Sequence, residues 1–242
     1  MAEDPINLFA TRAERYPQPT EADVVLGTAR AALAAIPFVG GSITEVLSVV
    51  LAPAVTRRRD DWFKQLADAL DQLESKVQGF KVESLAENDA FVSAVIQATR
   101  AATATHQQEK LEYLRNALLN VAIGNAPDEL KQQIFLGAIE AFSPAHVKTL
   151  DLLWKGSNKL MLFQKNLGPF PGDNYGEAIG IAVPELKGQL ALISAILTDL
   201  KNRGFQRLEV LGTPFTDQSG VMTDLGIEFL RFVLTPPENL SK

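Results

Sequence analysis

The chain contains no cysteine, which excludes disulfides, thiolate metal sites, cysteine nucleophiles and thiol redox switches together. It has only two histidines, His106 and His146. Neither has partners at the spacing of a zinc site, so no metal is expected. Positive charge is also short: 23 Lys+Arg stand against 29 Asp+Glu, for a net charge of −6. Non-specific binding to a phosphate backbone needs clustered cations, so nucleic acid is not an expected partner. The opening residues Met1-Ala2-Glu3-Asp4-Pro5 lack the basic and apolar regions of a signal peptide, and a cytoplasmic protein is expected.

Motifs of catalysis are missing as well. Phe38-Val39-Gly40-Gly41 has no Lys-Ser/Thr and follows no strand, so it is not a phosphate loop. Gly172–Gly180 lacks the strand–helix frame of a dinucleotide turn, and no Gly-x-Ser-x-Gly elbow occurs. The carboxylate pairs Asp68/Asp71 and Asp128/Glu129 sit in charged, solvent-like surroundings that would not perturb a pKa. The expectation is a protein that is not an enzyme, with no catalytic residues and no cofactor.

What is present is a nearly unbroken apolar stretch from Val24 to Val55, carrying only Arg30 and Glu45 as charges. Pro37, Gly40 and Gly41 divide it, which predicts a helical hairpin over 23–55 with those three residues as its hinge. Each arm is too short to span a bilayer, which takes about 20 apolar residues. In the second arm Ile43, Leu47 and Leu51 recur at four-residue steps as one helical stripe, and Pro53 is expected to interrupt it. Arg57, Arg58 and Arg59 follow directly. Together these residues make a candidate interaction surface: the apolar face for a protein partner or a second copy, the arginines for an anionic membrane surface. The plainer account buries the hairpin in a helical core and pairs the arginines with Asp60 and Asp61.

Further along, helical patterns are predicted over about 59–77 (Trp62, Leu66, Ala69, Leu70, Leu73, Val77) and about 88–123 (Val92, Ile96, Thr99, Thr103, Leu114, Leu118, Val121). Ser84 and Glu87 introduce the second in capping-box spacing. A helix with Leu130, Ile134, Phe135, Ile139 and Phe142 follows, then one opened by Ser143-Pro144. The organisation expected is an irregular arm over 1–22, a helical bundle over 23–154, a loop or linker over 155–183, and a winged-helix-like module over 184–235. That module would hold a helix from Pro184 to Arg203, a short strand with Phe205, Leu208 and Val210, and a closing helix capped by Thr223. The fold class is therefore mainly α, a multi-helix bundle with a C-terminal winged-helix-like module carrying a short β element.

Three segments carry a family resemblance. Phe135 to Ser143-Pro144, running on through His146 to Leu153, precedes Leu197-Thr198-Asp199-Leu200-Lys201-Asn202-Arg203-Gly204. Thr223-Asp224-Leu225-Gly226-Ile227-Glu228-Phe229-Leu230 closes the series. This ordering over roughly 60–233 resembles the abortive-infection alpha family and related uncharacterised bacterial proteins. The resemblance implies a bacterial, non-enzymatic, defence-related role and supplies no catalytic residues. The functional expectation is an interaction or effector protein, cytoplasmic or peripheral to a membrane. The competing readings are a winged-helix regulator contacting DNA through Lys201 and Arg203, and a purely structural scaffold.

Overall fold

The computed structural model describes residues 42–154, 175–208 and 221–234. Among these the chain is mainly helical, arranged as a multi-helix bundle. By contacts it divides into two compact units, Met1–Phe63 and Lys64–Lys242.

The described part of the first unit is the opening of helix α1, Ser42–Lys76. The first arm of the expected hairpin and its hinge, Pro37, Gly40 and Gly41, lie outside the described residues. The second arm and the expected helix over 59–77 prove to be one continuous helix. Pro53 does not break it. A proline removes one i→i−4 hydrogen bond and crowds the carbonyl four residues back. Pro53 is exposed, and good helix formers flank it as Ala52 and Ala54, so the turns on either side carry the helix through one lost hydrogen bond. Ala52 and Trp62 are buried in this unit.

In the second unit Leu66, Leu70 and Leu73 continue the buried side of α1. A short 3-10 turn, Val82–Glu87, follows. The expected capping box does not form there: the Ser84 hydroxyl instead donates to the Lys81 carbonyl, and Asn88 caps the next helix by accepting from Phe91 N–H at 3.0 Å. The single helix expected over 88–123 is two, α2 (Asp89–Ala104) and α3 (Gln108–Ala122). Thr105 is extended and its hydroxyl oxygen accepts from Gln107 N–H, so a local threonine hydrogen bond competes with the helix and ends it.

The inward face of α2 also differs from the expected stripe. Val92 and Ile96 are 41% and 51% exposed, whereas Ala94, Ala98, Ala101 and Ala102 are buried. Alanines give a flat face on which α3 and α4 can approach closely, and α2 packs on both. Helix α4, Glu129–Ala141, is capped by Asp128, which accepts from Lys131 N–H. It buries Phe135, Leu136, Ala138 and Ile139, while Leu130 and Ile134 face outward. Helix α5 covers 144–154 and buries Val147, Leu150 and Leu153.

The stretch 155–183, expected to be a loop or linker, is helical over Tyr175–Ala182, here α6. The expected helix from Pro184 to Arg203 is a 3-10 turn, Pro184–Leu186, followed by α7, Leu190–Asn202. Gly188, at φ +75°, separates the two. Helix α8, Asp224–Leu234, packs on α3. Thr223 caps it by accepting from Gly226 N–H at 3.0 Å and donates to the Gly204 carbonyl at 2.6 Å.

The expected β element reduces, among the described residues, to one isolated antiparallel bridge between Gln206 and Met222. The expected strand position Val210 lies outside them. The Gln206 side chain turns inward and its amide donates to the Leu197 carbonyl at 2.7 Å, so part of this segment's hydrogen-bonding capacity goes to the end of α7. The centre of the unit is aromatic. Phe135 meets Phe205, Phe229 and Phe232 at centroid distances of 6.0, 5.5 and 5.7 Å, and Phe205 stacks on Phe229 at 4.7 Å. Burying each such ring contributes about 1.5–3 kcal/mol.

Candidate functional site

The sequence-selected surface falls on α1. Ile43 and Leu47 lie in its first two turns. Leu51 is 39% exposed. Stepping by three and four residues from Leu51 leads through Ala54 to Arg57, Arg58 and Asp61, so these positions share one side of the helix. Arg57, Arg58 and Asp61 are exposed. Arg59 lies off that side. Its guanidinium donates to the Asp60 carboxylate at 3.3 Å, a local pair worth a few tenths of a kcal/mol. The triple-arginine run is therefore not one patch. Two of its members share the side of α1 that carries Leu51, and the third lies off it beside Asp60.

A second constellation joins residues that the sequence keeps apart. His146 sits in the first turn of α5. Its Nδ1 accepts from Ser143 N–H at 3.3 Å and lies 2.9 Å from Ser143 Oγ. Its Nε2 lies 3.4 Å from Asp199 Oδ2 on α7. The acceptor role of Nδ1 assigns the proton to Nε2, which faces the carboxylate. The imidazole stacks on Phe142 at 4.7 Å, and the Arg203 guanidinium lies 5.1 Å from the Phe142 ring centroid. Burial pushes the His146 pKa below its ordinary value. The nearby Asp199 opposes that shift, and Arg203 and Lys110 add to it.

Serine, imidazole and carboxylate in series invite comparison with an acyl-transfer triad. The local geometry is that of a helix cap. The backbone N–H of Ser143 already uses the Nδ1 lone pair. The helix opens on Pro144, which has no N–H, and His146 N–H is given to the Ser143 carbonyl at 3.0 Å. The first turn thus offers few donors for an oxyanion. The sequence carried one half of this arrangement, the Ser143-x-x-His146 spacing. Asp199 is 53 residues further on, and no local pattern points to it.

A third cluster is electrostatic. Lys148 on α5 pairs at 2.9 Å with both Glu109 on α3 and Glu185 in the 3-10 turn. Beside it, burial foremost, with Glu109 adding, pushes the Tyr113 hydroxyl up to about 12. The three elements are tied together, and the Lys148 ammonium holds the Glu185 carboxyl below its ordinary value. His106 is exposed. Among the described residues no group of three or more His, Asp or Glu could hold a metal ion. No described helix is long and apolar enough to cross a membrane. Comparison of the chain with protein-family models, curated proteins and solved structures finds no match.

Proposed function

We propose that this is a non-enzymatic interaction protein whose contact surface is the side of α1 bearing Leu51, Arg57 and Arg58. The observation that carries the reading is an apolar side chain left 39% exposed on the same helix side as two exposed arginines. Apolar and arginine side chains in that combination anchor protein interfaces, because a long planar guanidinium both packs and hydrogen-bonds. Asp61, exposed on the same side, gives the surface mixed charge. A mixed face suits a protein partner, a second copy of this chain included, better than a uniformly anionic bilayer. A membrane surface is the second reading, favoured by the apolar sequence that precedes Arg57.

The DNA-binding alternative has less support. Arg203, one of its two cations, is packed over Phe142, and Asp199 stands one helical turn before it. The defence-related role rests on the sequence resemblance alone.

Sedimentation velocity over a range of protein concentrations, paired with co-sedimentation on anionic and neutral vesicles, tests the proposal. Self-association that Leu51→Glu and Arg57→Glu/Arg58→Glu both weaken supports the first reading. Selective binding to anionic vesicles lost in the same variants moves support to the second. Association of either kind that ignores these substitutions removes α1 as the contact surface.

A further inference from the structure

His146 ties three elements together through one ring. Through Nδ1 it holds the amide of Ser143 at the junction of α4 and α5. Through Nε2 it faces Asp199 on α7. Through its face it stacks on Phe142, which is itself covered by Arg203 from the end of α7. We propose that this makes the α4–α5 junction a pH-sensitive clamp, closed while the imidazole is neutral and loosened when it takes a second proton.

The argument is one of donors and acceptors. A neutral imidazole protonated on Nε2 presents a single acceptor, Nδ1, which the Ser143 N–H and the Ser143 hydroxyl share. Once Nδ1 is protonated it becomes a donor. The Ser143 hydroxyl can reverse and accept from it, since a hydroxyl serves in either role. The backbone N–H cannot reverse. A part-buried amide is left facing another donor, which costs more than the lost bond alone.

The charges facing the ring decide at what pH this happens. Asp199 on α7 favours the imidazolium. Arg203, at the C-terminal end of α7, and Lys110, on α3 with its ammonium held at 2.6 Å by the Glu140 carbonyl, disfavour it. The side chain is only 13% exposed, so burial also favours the neutral ring and outweighs the single carboxylate. The native fold therefore binds this proton less readily than the unfolded chain. The clamp's contribution to stability is complete above the ordinary imidazole value near 6.5 and declines as the pH falls below it. Mildly acidic conditions would loosen a junction that sits between the aromatic centre and α7.

Nuclear magnetic resonance on the full chain tests this in two ways. A titration of the imidazole nitrogens should find the Nε2–H tautomer at neutral pH and a His146 pKa below that of a free imidazole. Amide exchange at Ser143, referred to its intrinsic rate, should keep its protection above the ordinary imidazole value near 6.5 and lose it as the pH falls below that value, while the amides of α3 keep theirs. Asparagine at 146 offers a non-titrating acceptor, so His146→Asn should flatten that pH dependence. Ser143→Ala removes the hydroxyl that can reverse, and should make the loss of protection larger. A proton on Nδ1 at neutral pH, a pKa at or above the ordinary value, or protection at Ser143 that does not change with pH overturns the proposal. The titration needs only the wild-type chain, so it decides the matter even if a variant fails to fold.

Discussion

The side-chain amide of Asn116 donates to the carbonyl oxygen of Val233 at 3.0 Å, joining α3 to the last turn of α8 across 117 residues. Asn120, one turn later, donates to Phe232 O at 3.0 Å in the same way, and its own Oδ1 accepts from Asn125. Helix C-terminal carbonyls lack intrahelical partners. Two buried asparagines supply them here, so these polar residues belong to the core because they close it.

Replacing Asn116 with leucine keeps much of the volume and removes the donor. The Val233 carbonyl is then buried without that partner, and stability should fall by about 1–3 kcal/mol. Urea denaturation of Asn116→Leu against wild type measures it. An unchanged midpoint would mean that the carbonyl finds another donor.

Gly226 on α8 lies against the backbone of Phe205. A Cβ at this position would overlap the Phe205 carbonyl oxygen and approach Met222 Cε to 3.1 Å. A backbone atom cannot swing aside as a side chain can. Gly226→Ala should therefore cost roughly 1–3 kcal/mol or more by overpacking, despite the better helix propensity of alanine. Thermal unfolding of this variant should show a lower midpoint, whereas a rise would indicate that the helix shifts freely.

Phe135 is fully buried and contacts three other rings. Truncation to alanine should cost about 3–5 kcal/mol through the cavity it leaves. Leu130→Ala on the same helix should cost little, because Leu130 is 68% exposed. Denaturation midpoints of the two variants provide the contrast, and similar losses would misplace the inner face of α4.

Tyr113 should titrate late. Burial favours its neutral phenol, with the nearby Glu109 adding to the shift and Lys148 opposing it. Stability from this group is present in full below pH 10, the ordinary tyrosine value, and is lost as the pH rises toward about 12. Absorbance near 295 nm would follow this ionisation, and Tyr113→Phe should remove the late component. If the variant's titration matches the wild type, the phenol is not shielded.

Some of this architecture is legible in the chain and some is not. The capping and stripe signals around Phe135, Ser143, Thr223 and Phe229 place α4, α5 and α8, because caps and apolar periods are local, although α4 turns the expected stripe residues Leu130 and Ile134 outward. Helix α2 misleads, since a hydrophobicity stripe ranks Val92 and Ile96 above alanine. Close helix approach instead selects Ala94, Ala98 and Ala101 for the inside. Pro53 misleads too: helix-forming neighbours carry α1 through the single hydrogen bond that the proline removes. The asparagine clasp and the His146–Asp199 contact depend on partners 112, 117 and 53 residues away, and single-chain periodicity does not encode such distances. For the candidate surface, the sequence reveals the order of Leu51 and the arginines. The separation of Arg59 from Arg57 and Arg58 comes from continuing the helix through Pro53.

The absence of native cysteine allows a single nitroxide to be placed at any chosen position on α1. Labels introduced by Leu51→Cys and Arg58→Cys, compared with one at the exposed position Ala67 farther along the helix, report directly on the proposed contact surface. Electron paramagnetic resonance should show the first two immobilised as protein concentration rises, or on adding anionic vesicles, while the Ala67 label keeps its motion. Equal mobility at all three positions under every condition would contradict the assignment of α1 as the surface through which this protein acts.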